Sequence, residues 1–211
     1  MAPHEVQSTT VTTTVTNGTT TIEVLDQGAG RVIVILPSLG RGANDYDTVA
    51  QLLQTDSFRV IRPQPRGISL SKGPMDKLTL HDLAADVAGT MDHLQIGSSV
   101  IVGHAWGSQP ARMLAADRPD LVLGLVMAAA SAGRLPPGLE EKPYGRLRAE
   151  IDGAGDTTLS EEQRLEFLRK AFFAPGNEAR TWLEGWHQAT HDAQLTPVDV
   201  RQSKTISQVE E

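Results

Sequence analysis

The residues whose types and spacing bear most directly on chemistry are Gly103-His104-Ala105-Trp106-Gly107. A short apolar run, Ser99-Val-Ile-Val102, precedes them and a stretch of helical character follows, which places them in the bend between a strand and a helix. A bend that displays the side chain at its apex needs small residues two before and two after it, because the backbones close on each other there. Gly103 and Gly107 meet that need. The apex residue is Ala105, and a methyl group has no lone pair with which to attack a carbonyl. His104 is a candidate general base if a polar partner orients it; a histidine there also serves simply to hold the strand end. Trp106 opens the helix, where free N–H groups and the helix dipole favour an anion, and its ring can either stack on an aromatic ligand or pack as core. Ser108, three residues beyond the bend, cannot take over the apex.

A second cluster follows the apolar run Arg31-Val-Ile-Val-Ile-Leu36. In Pro37-Ser38-Leu39-Gly40, Ser38 reads either as a donor to a ligand oxygen or as a turn residue. Glu184, His187 and His191 fall at i, i+3 and i+7, one face of a helix, a spacing that can hold a metal. No further ligand accompanies them, so a solvated face and no metal is the expectation. The chain has no cysteine, which excludes a disulfide framework, a thiolate nucleophile and a cysteine metal site. Its 26 acidic against 19 basic residues, with no run of lysine or arginine, argue against a nucleic-acid or anionic-membrane partner and for a small-molecule ligand. No stretch approaches the roughly 18 apolar residues of a membrane span, and Met1 to Thr10 is polar, so a soluble, cytoplasmic protein is expected.

The elements that must position these residues follow from the hydrophobic pattern. Thr9 to Thr16 and Thr19 to Leu25 read as a hairpin, with Asn17-Gly18 supplying two positive-φ turn residues. Arg31 to Leu36 reads as a central strand. Asn44 or Asp45 is the expected cap of a helix carrying Val49, Leu52 and Leu53 on its apolar face, before a strand at Phe58 to Ile61. Thr79 is the expected cap of a helix with its stripe at Leu80, Leu83, Ala84, Val87 and Met91. Ser99 to Val102, a helix over Trp106 to Asp117 with Pro110 near its start, and an apolar strand over Leu121 to Ala130 complete an alternation that implies a parallel sheet. Pro136-Pro137-Gly138 breaks the chain. Amphipathic helices follow, one capped by Ser160 and packing through Leu165, Phe167, Leu168, Phe172 and Phe173. The division expected is a core over 1–132, a helical lid over 133–194 and an irregular tail over 195–211.

In this setting residues 103–107 resemble the α/β-hydrolase family, whose fifth strand ends in the pattern small-x-nucleophile-x-small. The resemblance implies a three-layer, mostly parallel α/β sheet with an N-terminal hairpin and a helical lid. It puts Ala105 at the nucleophile position and assigns the two oxyanion-hole N–H groups to Leu39 and Trp106. Arg66-Gly67 with Ser69 and Ser71 resembles the turn after the family's fourth strand, with Gln64 or Pro65 where an acidic residue is common, and Leu80 to Asp86 resembles the helix before the elbow. Phe172-Phe173-Ala174-Pro175-Gly176-Asn177 with Trp182-Leu183-Glu184-Gly185-Trp186, and Pro37-Ser38-Leu39-Gly40-Arg41 with Arg62-Pro63-Gln64-Pro65-Arg66-Gly67, look like a set of hydrolase-like proteins carrying alanine at the elbow, which favours a natural branch over the other reading, an engineered inactive variant. The family's last two strands, with the acid and histidine of its triad, have no counterpart before Glu211. The fold is therefore expected to be incomplete at its C-terminus, with an open sheet edge through which two copies can pair. The function implied is a hydrolase-like pocket for an ester, lactone or carbon–carbon bond substrate, with no cofactor and no serine-type hydrolysis. The alternatives are a small-molecule-binding pseudoenzyme and an inactive truncated product.

Overall fold

In the computed structural model, which describes residues 9–130 and 148–195, the alternating runs form a six-stranded sheet. Its strands are β1 (Val11–Asn17), β2 (Thr20–Gly28), β3 (Arg31–Leu36), β4 (Phe58–Pro63), β5 (Ser99–His104) and β6 (Val122–Ala128), and their spatial order is β1-β2-β4-β3-β5-β6. β1 and β2 are the antiparallel hairpin, β2 also runs antiparallel to β4, and β3 pairs in parallel with both β4 and β5, as β5 does with β6. The mostly parallel α/β-hydrolase-type sheet is thus present. The hairpin turn is shifted by one residue from expectation. Asn17 pairs with Thr20, and of the two loop residues only Gly18 has a positive φ, +59°, so one glycine is enough for the reversal.

Helices lie on both faces. Helix α1 (Asp47–Thr55) packs Ala50 against Ile35 and Val60 on one side. On the other, α2 (Leu80–His93) and α3 (Ser108–Asp117) enclose Val24, Val34, Leu36, Ile61 and Ile101, the main core. The cap at Thr79 forms as a full capping box with Asp82. The expected cap at Asn44 or Asp45 does not form. A 3₁₀ turn over Ala43–Tyr46 precedes α1, and Tyr46 stands at its N-cap without a side-chain bond to the helix's first turn. α1 is also rotated relative to the expected stripe: Val49 and Leu52 are exposed, while small Ala50 lets the helix lie close to the sheet.

β6 departs furthest from its reading as a buried strand, with Leu123, Leu125, Val126 and Met127 all exposed. Its apolar run requires cover, and among the described residues only β5 pairs with it. The block after residue 147 comprises α4 (Arg148–Gly155), α5 (Glu161–Phe172), α6 (Arg180–Glu184) and α7 (Gln188–Leu195), with α5 capped by Ser160 and Gln163 as expected. It has a small core of its own, Ala154, Leu165, Leu168, Ala179 and Leu183, and Phe172 stays outside it. Pro136-Pro137-Gly138 and the tail beyond Leu195 lie outside the described residues. No described helix is long and apolar enough to cross a membrane.

Candidate active site

At the end of β5 the chain turns through a single 3₁₀ turn, Ala105–Gly107, before α3 begins at Ser108, so the helix expected from Trp106 starts two residues later. Ala105 occupies the apex in the left-handed region, φ +46°, a conformation that costs a non-glycine residue about 1–2 kcal/mol. The two glycines are needed for close approach rather than for φ. A Cβ on Gly103 would lie 2.5 Å from the Ser108 Cα, and one on Gly107 would lie 2.5 Å from the Pro37 carbonyl oxygen and against that of Leu36. The turn is therefore pressed directly onto the loop after β3. The Ser108 hydroxyl is buried and donates to the Ala105 carbonyl at 2.6 Å, which locks the turn from inside.

His104 Nδ1 stands 2.8 Å from the Tyr46 hydroxyl, whose oxygen also accepts the Ser38 N–H at 3.2 Å. Since that oxygen is already an acceptor, its own proton is available to Nδ1, and the imidazole that receives it is neutral. Burial agrees, holding His104 below the ordinary histidine value and pushing the Tyr46 phenol up to about 12. A chain Ser38–Tyr46–His104 thus ties the two loops together. Nothing in the sequence singled out Tyr46, which reaches His104 across 58 residues. Among the described residues the N–H groups of Leu39 and Trp106 meet no acceptor.

An almost wholly apolar pocket opens beside the turn, walled by Leu36, Pro37, Pro63, Leu83, Val87, Trp106 and Pro110, with Gln64, Asp86 and Gln194 as its polar members. Of the expected ligand-contacting residues, Trp106 lines it and Ser38 and Leu39 do not. Asp86 accepts from Nε and Nη2 of Arg66, at 2.7 and 2.8 Å, and burial nonetheless pushes its carboxyl up from the usual carboxylate range. Gln64, which the resemblance sets, as an alternative to Pro65, where the family commonly has an acidic residue, accepts the Ala43 N–H and donates to Asn44, pinning the start of the 3₁₀ turn before α1.

The helical block docks on the same loops. Gln194 Oε1 accepts the Gly40 N–H at 2.8 Å, the His187 N–H donates to the Gly40 carbonyl at 2.9 Å, and Thr190 Oγ1 donates to the Arg66 carbonyl at 3.0 Å. Arg41 reaches the Trp182 carbonyl and lies 4.6 Å over its ring. Glu184, His187 and His191 do not share a helix: α6 ends at Glu184, His187 lies between helices and His191 is in α7. Among the described residues no group of three metal-type ligands exists. His81 is exposed and pairs with Asp117, as suits a surface role.

A model of the α/β-hydrolase fold matches residues 31–208. The chain belongs to the α/β-hydrolase fold family. Within that family it is similar to an epoxide hydrolase of Caballeronia sordidicola, 32% identical over 107 residues, which is 50% of this chain and 32% of the relative. It is also similar to 2-(acetamidomethylene)succinate hydrolase of Mesorhizobium japonicum, 27% identical over 149 residues, 71% of this chain and 51% of the relative. The chain thus spans about a third to a half of the length of these curated relatives. The solved structure of E-2-(acetamidomethylene)succinate hydrolase superposes with a TM-score of 0.67 over 93% of this chain and 74% of that one, at 23% identity, a likeness of fold.

Proposed function

We propose that this α/β-hydrolase-fold protein holds a small, largely apolar molecule beside the turn at residue 105 and forms no acyl-enzyme there. One observation carries the reading: the apex of a strained turn, φ +46°, bears the methyl group of Ala105. In a serine hydrolase that apex must supply a hydroxyl oxygen. The Leu39 and Trp106 N–H groups, free of acceptors among the described residues, are donors for a further polar atom at the turn; Trp106 lines the pocket, whereas Leu39 and Ser38 lie outside its lining. His104 holds the loops through Tyr46 and is no general base, since Nδ1 accepts from Tyr46, which leaves the ring proton on Nε2, and burial disfavours the uptake of a second proton. Helices α4 to α7 act as the cap of the pocket, supported by Gln194 on its wall.

The test is hydrolysis of p-nitrophenyl acetate and dihydrocoumarin by the protein and by Ala105→Ser. Neither is expected to exceed the uncatalysed rate, because a new hydroxyl at residue 105 meets a histidine committed to Tyr46. Among the described residues the His–Asp pairs are His81–Asp117 and His191–Asp192, and neither includes a residue of the turn at 105. A burst of nitrophenolate from the serine variant would mean that base and acid partners stand ready and would overturn the non-catalytic reading.

A further inference from the structure

The polar members of the pocket are not equivalent. Gln64 has both ends of its amide engaged, at 2.5 Å from the Ala43 N–H and 3.0 Å from Asn44. Asp86 has both oxygens in the Arg66 fork. Gln194 is only 3% exposed, and its Oε1 is fixed on the Gly40 N–H. A backbone N–H can be met only by the oxygen of an amide, so this bond also fixes which way the side chain is turned and leaves Nε2 on the other side. Among the described residues Nε2 has no acceptor. Nor is it one of the partnerless nitrogens sealed from solvent, which are Arg41 Nη2 and Arg62 Nε. It therefore keeps some accessible surface, and the side chain that carries it lines this pocket.

A pair of N–H donors presented to an apolar wall is unfavourable until something accepts from it. We propose that the Gln194 amide is the polar recognition element of the pocket, donating from Nε2 to the oxygen of a small neutral ketone, ester or lactone whose hydrocarbon part lies against Trp106, Pro110 and Leu83. This rests on the reading of the pocket as a ligand site. A neutral oxygen is preferred to a carboxylate because Asp86 is on the same wall. Since Gln194 holds Gly40 with its other end, ligand and cap bear on the loop that carries Leu39 through one side chain.

Cyclohexanone and methylenecyclohexane match in shape and differ in the acceptor, so they separate this contact from burial alone. Both are titrated by NMR into the full chain and into Gln194→Met. The preference for cyclohexanone, as the ratio of the two Kd values, is expected to be about 3–10-fold greater in the unmodified protein than in the variant, the effect of one hydrogen bond. In the unmodified protein alone, cyclohexanone and not methylenecyclohexane should shift the side-chain ¹⁵N resonance of Gln194, a readout that stands even if the variant fails to fold. Binding of both molecules with an unshifted Gln194 resonance or an unchanged ratio overturns the inference and leaves the pocket reading standing. Binding of neither overturns the pocket reading and this inference with it.

Discussion

β5 and β6 are adjacent, parallel and almost equally apolar, yet they live in opposite surroundings. Ile101 of β5 is completely buried, whereas Leu123 of β6 is 63% exposed. The glycines differ in the same way: a Cβ on Gly103 would collide with Ser108, and one on Gly124 would meet nothing within 4 Å. An apolar run states what cover a strand requires, and the elements packed against it decide what it receives. At β5 the face bearing Ser99, Ile101 and Gly103 is fully covered because β3, α2, α3 and the loop at Pro37 converge on it, and that convergence is what builds the turn at Ala105.

Substitutions of one type at the two strands turn this contrast into numbers. The largest effect is expected for Gly103→Ala, which forces backbone against backbone and should cost at least about 3 kcal/mol, read by urea unfolding. Gly124→Ala should stay within about 0.5 kcal/mol. Equal costs would mean that β6 is covered. Next, Ile101→Ala should cost about 2–5 kcal/mol through lost burial and a cavity, against about 0.5 kcal/mol or less for Leu123→Ala. The smallest effect concerns pH. Burial depresses His104 in the folded state, so the unfolded chain binds its proton first. Stability therefore falls as pH drops through the ordinary histidine value near 6.5 and is recovered above it. His104→Asn, which can still accept from Tyr46, should reduce the slope of Tm against pH between 5.5 and 7.5; an unchanged slope would remove His104 from the balance.

How much of this was legible in the sequence depended on the range over which each feature is determined. The capping boxes at Thr79 and Ser160 and the tight turn flanked by Gly103 and Gly107 are local, and each was readable from a few residues. The placing of Glu184, His187 and His191 on one helix face misled because a periodicity was extended across the end of α6, where Gly185 interrupts the helix. α1 misled in part: Leu53 packs toward the sheet as expected, but it does so beside the small Ala50, while Val49 and Leu52 face outward. Tyr46 and Gln194 were invisible: their partners lie 58 and 154 residues away, and no pattern in one sequence ties such residues together. Arg62 was missed as well: the strand expected to end at Ile61 runs on to Pro63 and buries the guanidinium, which bonds to Gln27, Asp47 and the Ala43 carbonyl.

The central claim is an occupied pocket without chemistry at residue 105, and it is tested most directly by thermal unfolding with small aromatic esters and lactones, followed by recovery of the ligand. One cooperative transition whose Tm rises with a ligand recovered intact is the result expected. A Tm that no ligand moves, or a ligand recovered as its hydrolysis products, would contradict the account.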